Sequence, residues 1–188
     1  MTPEEVGACY AARLGADAAF EESYGAGTVE VPVARWVEAA TLARDELDAR
    51  FFDWLSAYDE LEGGFALVVH LWSVAARHQV LLRTRVPRED PRLPTLTGVY
   101  RGANWHERET FEMFGVIFDG HPNLVPLLLP DGFEGYPLRK EFVLASRVAK
   151  AWPGAKDPAD SESGAPGRRR MQPPGVPDPD AWGPEAVR

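Results

Sequence analysis

The sequence predicts an α+β fold: a mostly antiparallel sheet in the order β-α-β-β-β, helices on one face, then a long irregular extension. Three observations carry this. Residues 51–86 hold three β-branched or aromatic runs separated by turn signals. Apolar spacing before and after residues 28–33 is helical rather than alternating. Beyond Gly115 the chain loses both periodicities and becomes rich in Pro and Gly.

Taken in order, residues 3–22 read as a short helix, with Thr2 as its N-cap and Pro3 at the first helical position. Thr28–Val33 alternates and reads as a strand that Pro32 either ends or confines to a sheet edge. Ala34–Ala49 sets Trp36, Val37, Ala40 and Leu47 along one side, as a surface helix does. Three strands follow, Phe51–Leu61, Phe65–Val74 and His78–Val86. Glu62-Gly63-Gly64 turns the first hairpin and Ala75–Arg77 the second. Pro87, Pro91 and Pro94 make an extended connector. Helical patterning resumes over Leu96–Phe114, interrupted at Gly102 and stopped by Gly115. The expected organisation is an N-terminal helical segment at 1–27, an α+β domain at 28–115 and an extended partner-wrapping segment at 116–150. A polar tail at 151–188 is expected to be disordered alone or ordered by a partner.

At 188 residues, 45% hydrophobic and 11% aromatic, the chain can build its own core. The net charge of −9 is concentrated early: residues 1–60 hold 13 acids against 4 bases. Such a surface repels nucleic-acid phosphates, which bind through Lys and Arg, so no nucleic-acid partner is expected. Cys9 is the single cysteine, so the chain can form no internal disulfide and cannot supply the about four thiolates of an iron–sulfur cluster. The first residues lack the basic and apolar regions of a signal peptide. The apolar runs Phe65–Trp72 and Leu124–Leu129 are far short of the ~18 residues that cross a bilayer. The expectation is a cytoplasmic protein that meets the membrane only through partners.

Catalytic and metal motifs mostly fail on spacing. His106-Glu107 begins like the H-E-x-x-H of metalloproteases, but Thr110 stands where the second histidine must be. His70, His78, His106 and His121 are scattered. Glu109 and Glu112, three apart on a helix, share a face and with His121 are the only candidate acid–base set. Arg108 and Glu112 are spaced for an ion pair of about 0.2–0.5 kcal/mol. Gly132-Phe133-Glu134-Gly135 lacks dinucleotide-loop spacing. Arg139-Lys140 suits an anchor for a carboxylate or a backbone carbonyl. Trp36, Trp54, Trp72 and Trp105 are expected in the core or at its rim. Trp152 and Trp182, in the polar tail, suit interface anchors, and Arg168–Arg170 a docking cluster.

The most informative stretch is Glu107–Phe142. It combines Glu107, Arg108, Glu109, Glu112, Met113, Phe114, Gly115, Phe118, Gly120, His121, Pro122 and Leu124 with Gly132, Phe133, Glu134, Gly135, Pro137, Leu138, Arg139, Lys140 and Phe142. In this order and spacing the residues resemble the signature of the 30-kilodalton subunit family of NADH-quinone oxidoreductase, respiratory complex I. Ala103-Asn104-Trp105-His106 fits just upstream, while Tyr136 stands where a His is more usual. The resemblance implies a structural subunit of the peripheral arm with no cofactor of its own. FMN, iron–sulfur clusters and quinone would lie on partner subunits. It further implies that the extension wraps the quinone-site large subunit near an iron–sulfur subunit, on the cytoplasmic side of the cell membrane. Of the signature residues, Glu107, Arg108, Glu109, Glu112, Gly120, His121, Pro122, Gly132, Phe133, Glu134, Gly135, Pro137, Leu138, Arg139 and Lys140 would then form the partner interface. A membrane-bound hydrogenase or F420H2 dehydrogenase would use an equivalent scaffold subunit, and a stand-alone acid–base enzyme is the reading from another class.

Overall fold

In the computed structural model, which describes residues 1–143, Thr2 opens the first helix as its sequence requires. Its hydroxyl accepts the Glu5 N–H at 3.3 Å, and its own N–H donates to the Glu5 carboxylate at 2.9 Å. This helix, α1 (Pro3–Leu14), is shorter than the expected 3–22. A single 3-10 turn follows, and the chain then forms a hairpin of β1 (Ala19–Ser23) and β2 (Ala26–Glu30). Tyr24 and Gly25 make its turn with φ of 53° and 75°, the left-handed pair that suits a twisted two-residue hairpin. All five β1 residues are exposed, so the strand has no buried alternation to betray it in the sequence.

Pro32 ends the β2 run rather than marking an edge. The helix α2 (Trp36–Asp45) follows and stops short of the expected Ala49. Next come β3 (Phe51–Asp59), β4 (Phe65–Ser73) and β5 (His78–Val86), each within two residues of its expected bounds. The connector contains a short strand, β6 (Arg92–Pro94), which pairs in parallel with β7 (Ile117–Asp119) beyond the last helix. That helix, α3 (Ala103–Phe114), begins later than Leu96 because Leu96–Gly102 is coiled into tight turns instead. Gly115, with φ 73°, ends it.

The main sheet runs β1-β2-β5-β4-β3, antiparallel except for the β2–β5 pair. On one face Leu55, Phe65, Leu67, Val69, Leu71, Val80 and Leu82 form a continuous core with Tyr10 of α1, Trp36 and Ala40 of α2, and Ala103 and Phe114 of α3. The Tyr10 hydroxyl donates to Ala39 O at 2.9 Å and Tyr100 donates to Ala49 O at 2.9 Å, so both buried phenols are satisfied. Phe20 anchors the exposed β1 strand: a Cβ on Gly7 would lie 2.5 Å from its ring. The opposite face carries Trp54, Tyr58, His70, Trp72, Arg83 and Arg85, and among the described residues no helix lies across it.

Of the tryptophans, Trp36 is fully buried, whereas Trp105 is exposed and Trp54 lies on the open face. Among the described residues no helix is long and apolar enough to cross a membrane. The tail at 151–188, with Trp152, Trp182 and Arg168–Arg170, lies outside the described residues.

Candidate functional site

The signature residues converge where the extension leaves α3 and runs back along the domain. Glu107 is buried on the inner side of α3. Its carboxylate accepts Leu96 N–H at 2.6 Å and the Thr95 hydroxyl at 2.5 Å, which ties the connector to the helix. Burial pushes its pKa up to about 7, against the two bonds that favour the charged form. The buried His121 ring lies 3.9 Å away. Its Nε2 faces the Asn104 carbonyl at 3.2 Å and Nδ1 accepts the Asn123 N–H at 3.0 Å. A carbonyl only accepts, so the ring carries its proton on Nε2. Burial lowers its pKa, and it is a neutral turn-forming histidine.

Glu112, which is buried, and Arg108 both reach onto the backbone of the first stretch of the extension. Both Glu112 oxygens accept backbone N–H groups, from Leu128 at 2.7 Å and Leu129 at 2.8 Å. Burial alone would raise its pKa, but these bonds outweigh burial and hold it below the ordinary value. Arg108 donates to the carbonyls of Val125 at 2.9 Å and Pro126 at 2.8 Å. The Arg108–Glu112 ion pair expected from their spacing is therefore not formed: each grips the backbone of residues 125–129 instead. Carboxylate on N–H and guanidinium on C=O are charge-assisted bonds, stronger than those a neutral loop makes with itself.

The second signature block closes on the end of the sheet. Arg139 Nε donates to the Phe114 carbonyl at 2.7 Å, the last carbonyl of α3, where the helix dipole favours a cation. Its guanidinium also lies 4.3 Å over the Tyr136 ring and 5.0 Å over Phe65. Leu138 N–H donates to Met113 O at 3.2 Å. Lys140 contributes its backbone: its N–H donates to Asp59 Oδ2 at 2.9 Å. Asp59 is buried, accepts Leu61 N–H at 2.7 Å and pairs with Arg88, which in turn pairs with Glu141 at 2.9 Å. Burial would raise the Asp59 pKa, yet these partners together hold it low. Asp59, Arg88, Phe65 and Thr95 carry no signal in the sequence. They lie 12 to 81 positions from the groups of α3 and the extension that they hold, and no local spacing reports such contacts.

The remaining signature positions shape or cap the loop. Gly120, Gly132 and Gly135 all have positive φ, of 81°, 80° and 89°. Pro122 follows the His121 turn. Phe133 stacks on Phe142 at 5.9 Å between centroids. Glu109 and Glu134 make no hydrogen bond or ion pair among the described residues. Outward from this framework stand the exposed Val125, Leu128, Phe133 and Leu138. Beside them a hollow of about 220 Å³, walled by Pro126, Leu129, Phe133 and Tyr136, has room for one side chain.

No hydrogen bond joins any two of Glu109, Glu112 and His121, so the acid–base set does not form a shared site. Among the described residues no group of three or more His, Cys, Asp or Glu could hold a metal ion.

Residues 29–148 match the family model described as "Respiratory-chain NADH dehydrogenase, 30 Kd subunit". Over 123 residues the chain is 43% identical to the C subunit of the NADH-quinone oxidoreductase of Roseiflexus castenholzii, a match covering 63% of this chain and 71% of that protein. It is 42% identical over 137 residues to the protein of the same description in Salinispora tropica, covering 70% of this chain and 55% of that one. Among solved structures it is similar to the trypsin-resistant fragment (1-134) of Nqo5, at 30% identity and a TM-score of 0.57, over 65% of this chain and 99% of that one. A chain of the membrane-bound sulfane sulfur reductase, an archaeal respiratory membrane complex, shares the fold at 24% identity and a TM-score of 0.64, over 82% of this chain and 96% of that one.

Proposed function

The chain belongs to the respiratory-chain NADH dehydrogenase 30 Kd subunit family, and we propose that it is a non-catalytic subunit of the peripheral arm of a proton-translocating NADH-quinone oxidoreductase. It braces the quinone-site large subunit against an iron–sulfur subunit, on the cytoplasmic side of the membrane. FMN, iron–sulfur clusters and quinone stay on those partners, and the chain reaches the membrane only through them.

The observation that carries this reading is how α3 and the extension divide their side chains. Glu107, Arg108, Glu112 and Arg139 turn inward and bind backbone of their own chain. Val125, Leu128, Phe133 and Leu138 are left pointing out. Charged groups satisfied within the loop make it rigid before it meets anything, so little ordering entropy is lost on docking. The exposed apolar row then supplies the contact, with the hollow beside Tyr136 taking a partner side chain. An enzyme site would reverse this arrangement and leave its charged groups free to meet substrate.

The test is affinity purification of the tagged chain from its native membranes in mild detergent, with mass spectrometry of what accompanies it. Quinone-site, iron–sulfur and NADH-binding subunits are expected. A nickel hydrogenase or F420-binding subunit in their place would keep the bracing role and change the electron donor. A chain recovered alone would overturn the reading.

A further inference from the structure

Phe51, Trp54 and Tyr58 lie along the open face of β3 and are 52%, 37% and 42% exposed. The strand register sets Phe51 beside Trp72 and Trp54 beside His70 on the neighbouring β4. Eight residues of strand at ~3.4 Å each, less one bulge, make this an aromatic strip roughly 20 Å long. It lies on the open face of the sheet, whereas Arg139 of the extension packs over Phe65 on the core face. Trp54 is pre-ordered: it stacks on His70 at 5.8 Å, and His70 is held by Asp53 at 2.8 Å and Gln79 at 3.1 Å. A large aromatic already fixed in place loses little freedom on contact, the usual property of an interface anchor.

The strip is electrically polar. Its Phe51 end opens into a cleft of about 450 Å³ lined by Arg44, Arg50 and Arg101. Arg44 is paired with Asp45 and Arg50 with Asp48, while Arg101 has no ion-pair partner among the described residues. At the Tyr58 end Glu60 is paired with Arg85, and Glu62 has none among the described residues. One end thus carries uncompensated positive charge and the other uncompensated negative charge.

We propose that this strip is a second docking surface, occupied by one segment of a partner subunit. The segment is apolar over about 20 Å, with a carboxylate at the end that reaches Arg101 and a Lys or Arg at the end that reaches Glu62. The inference rests on the assembly role proposed above and adds which face and which chemistry. Burying the aromatics supplies the attraction, and the opposed charges set the direction in which the segment lies.

The experiment uses the full chain in its native membranes, with a photoreactive phenylalanine analogue at position 54, 62 or 101 in turn. All three cross-links are expected to map to one segment of one partner, acidic beside position 101 and basic beside position 62. Cross-links to a second copy of this chain, to lipid, or to nothing would overturn the proposal. In parallel, Trp54→Ala/Tyr58→Ala is expected to keep its melting temperature and to co-purify with partner subunits at least about tenfold less well, since two aromatic contacts are lost and one anchor alone is worth about that much. Unchanged co-purification of that variant, beside a parent chain that does bring its partners, would sink the strip alone. A parent chain that brings none would sink the assembly role with it.

Discussion

Asp59, the last residue of β3, accepts the backbone N–H of Lys140 at 2.9 Å across 81 positions of sequence. Through this bond and the pair it makes with Arg88, a buried carboxylate in the domain fixes where the extension ends its return. Asp59→Asn keeps the shape and removes the charge. The expected loss is about 2–3 kcal/mol, below that of a wholly buried pair because Arg88 keeps Glu141. Thermal unfolding measures it, and limited proteolysis should cut first within residues 130–143.

Acid should release the first stretch of the extension before the domain unfolds. The folded pKa of Glu112 lies below its ordinary 4.5, so its contribution is complete above pH 4.5 and is lost as pH falls through the lower folded value. Hydrogen exchange at Leu128 and Leu129 should quicken over that range. Glu112→Gln should show faster exchange already at neutral pH and little further change on acidification.

Glu107 should act with the opposite sign. Its folded pKa is raised to about 7, so the native state binds the extra proton between pH 4.5 and 7. Its contribution is present below pH 4.5 and is lost as pH rises to about 7, on the order of 3 kcal/mol in all. Glu107→Gln, which copies the protonated form, should flatten that part of a urea-midpoint profile. An unchanged slope would show that the group is ionised throughout.

Gly115→Ala should displace the second signature block. At φ 73° an alanine is strained by about 1–2 kcal/mol, and its Cβ would meet Tyr136 Cζ and Arg139 Nη2, each at 2.6 Å. The Arg139 bond to Phe114 O should weaken, and limited proteolysis within residues 130–143 should quicken.

Arg139→Ala and Glu109→Ala should separate clamp from contact. Arg139→Ala removes a bond and two ring contacts, so both melting temperature and assembly should fall. Glu109 has no bond within the described residues, so Glu109→Ala should stay within about 0.5 kcal/mol of parent stability. Loss of assembly in that variant alone would mark Glu109 as touching a partner.

Much of the fold is legible in the order of the amino acids, and the elements that are not share a common cause. β4 and β5 alternate buried and less buried positions, so their bounds can be read to within a residue. β1 is exposed throughout, and β6 and β7 are three residues each, so none of them has a buried rhythm to detect. Thr2 with Pro3, and Gly115, act through local backbone chemistry and are readable as a helix start and a helix stop.

The α+β class, the central strands, the capped helix ends and a signature specific enough to resemble one family all follow from residues a few positions apart. Which way that signature points does not. Glu107 turns into the connector, Glu112 and Arg108 into the backbone of 125–129, and Arg139 onto Phe114, while Leu128 and Leu138 are left outside. A charged residue can face solvent, a partner or its own chain at the same spacing. The choice depends on where unpaired N–H and C=O groups from distant segments fall, and folding alone brings those together.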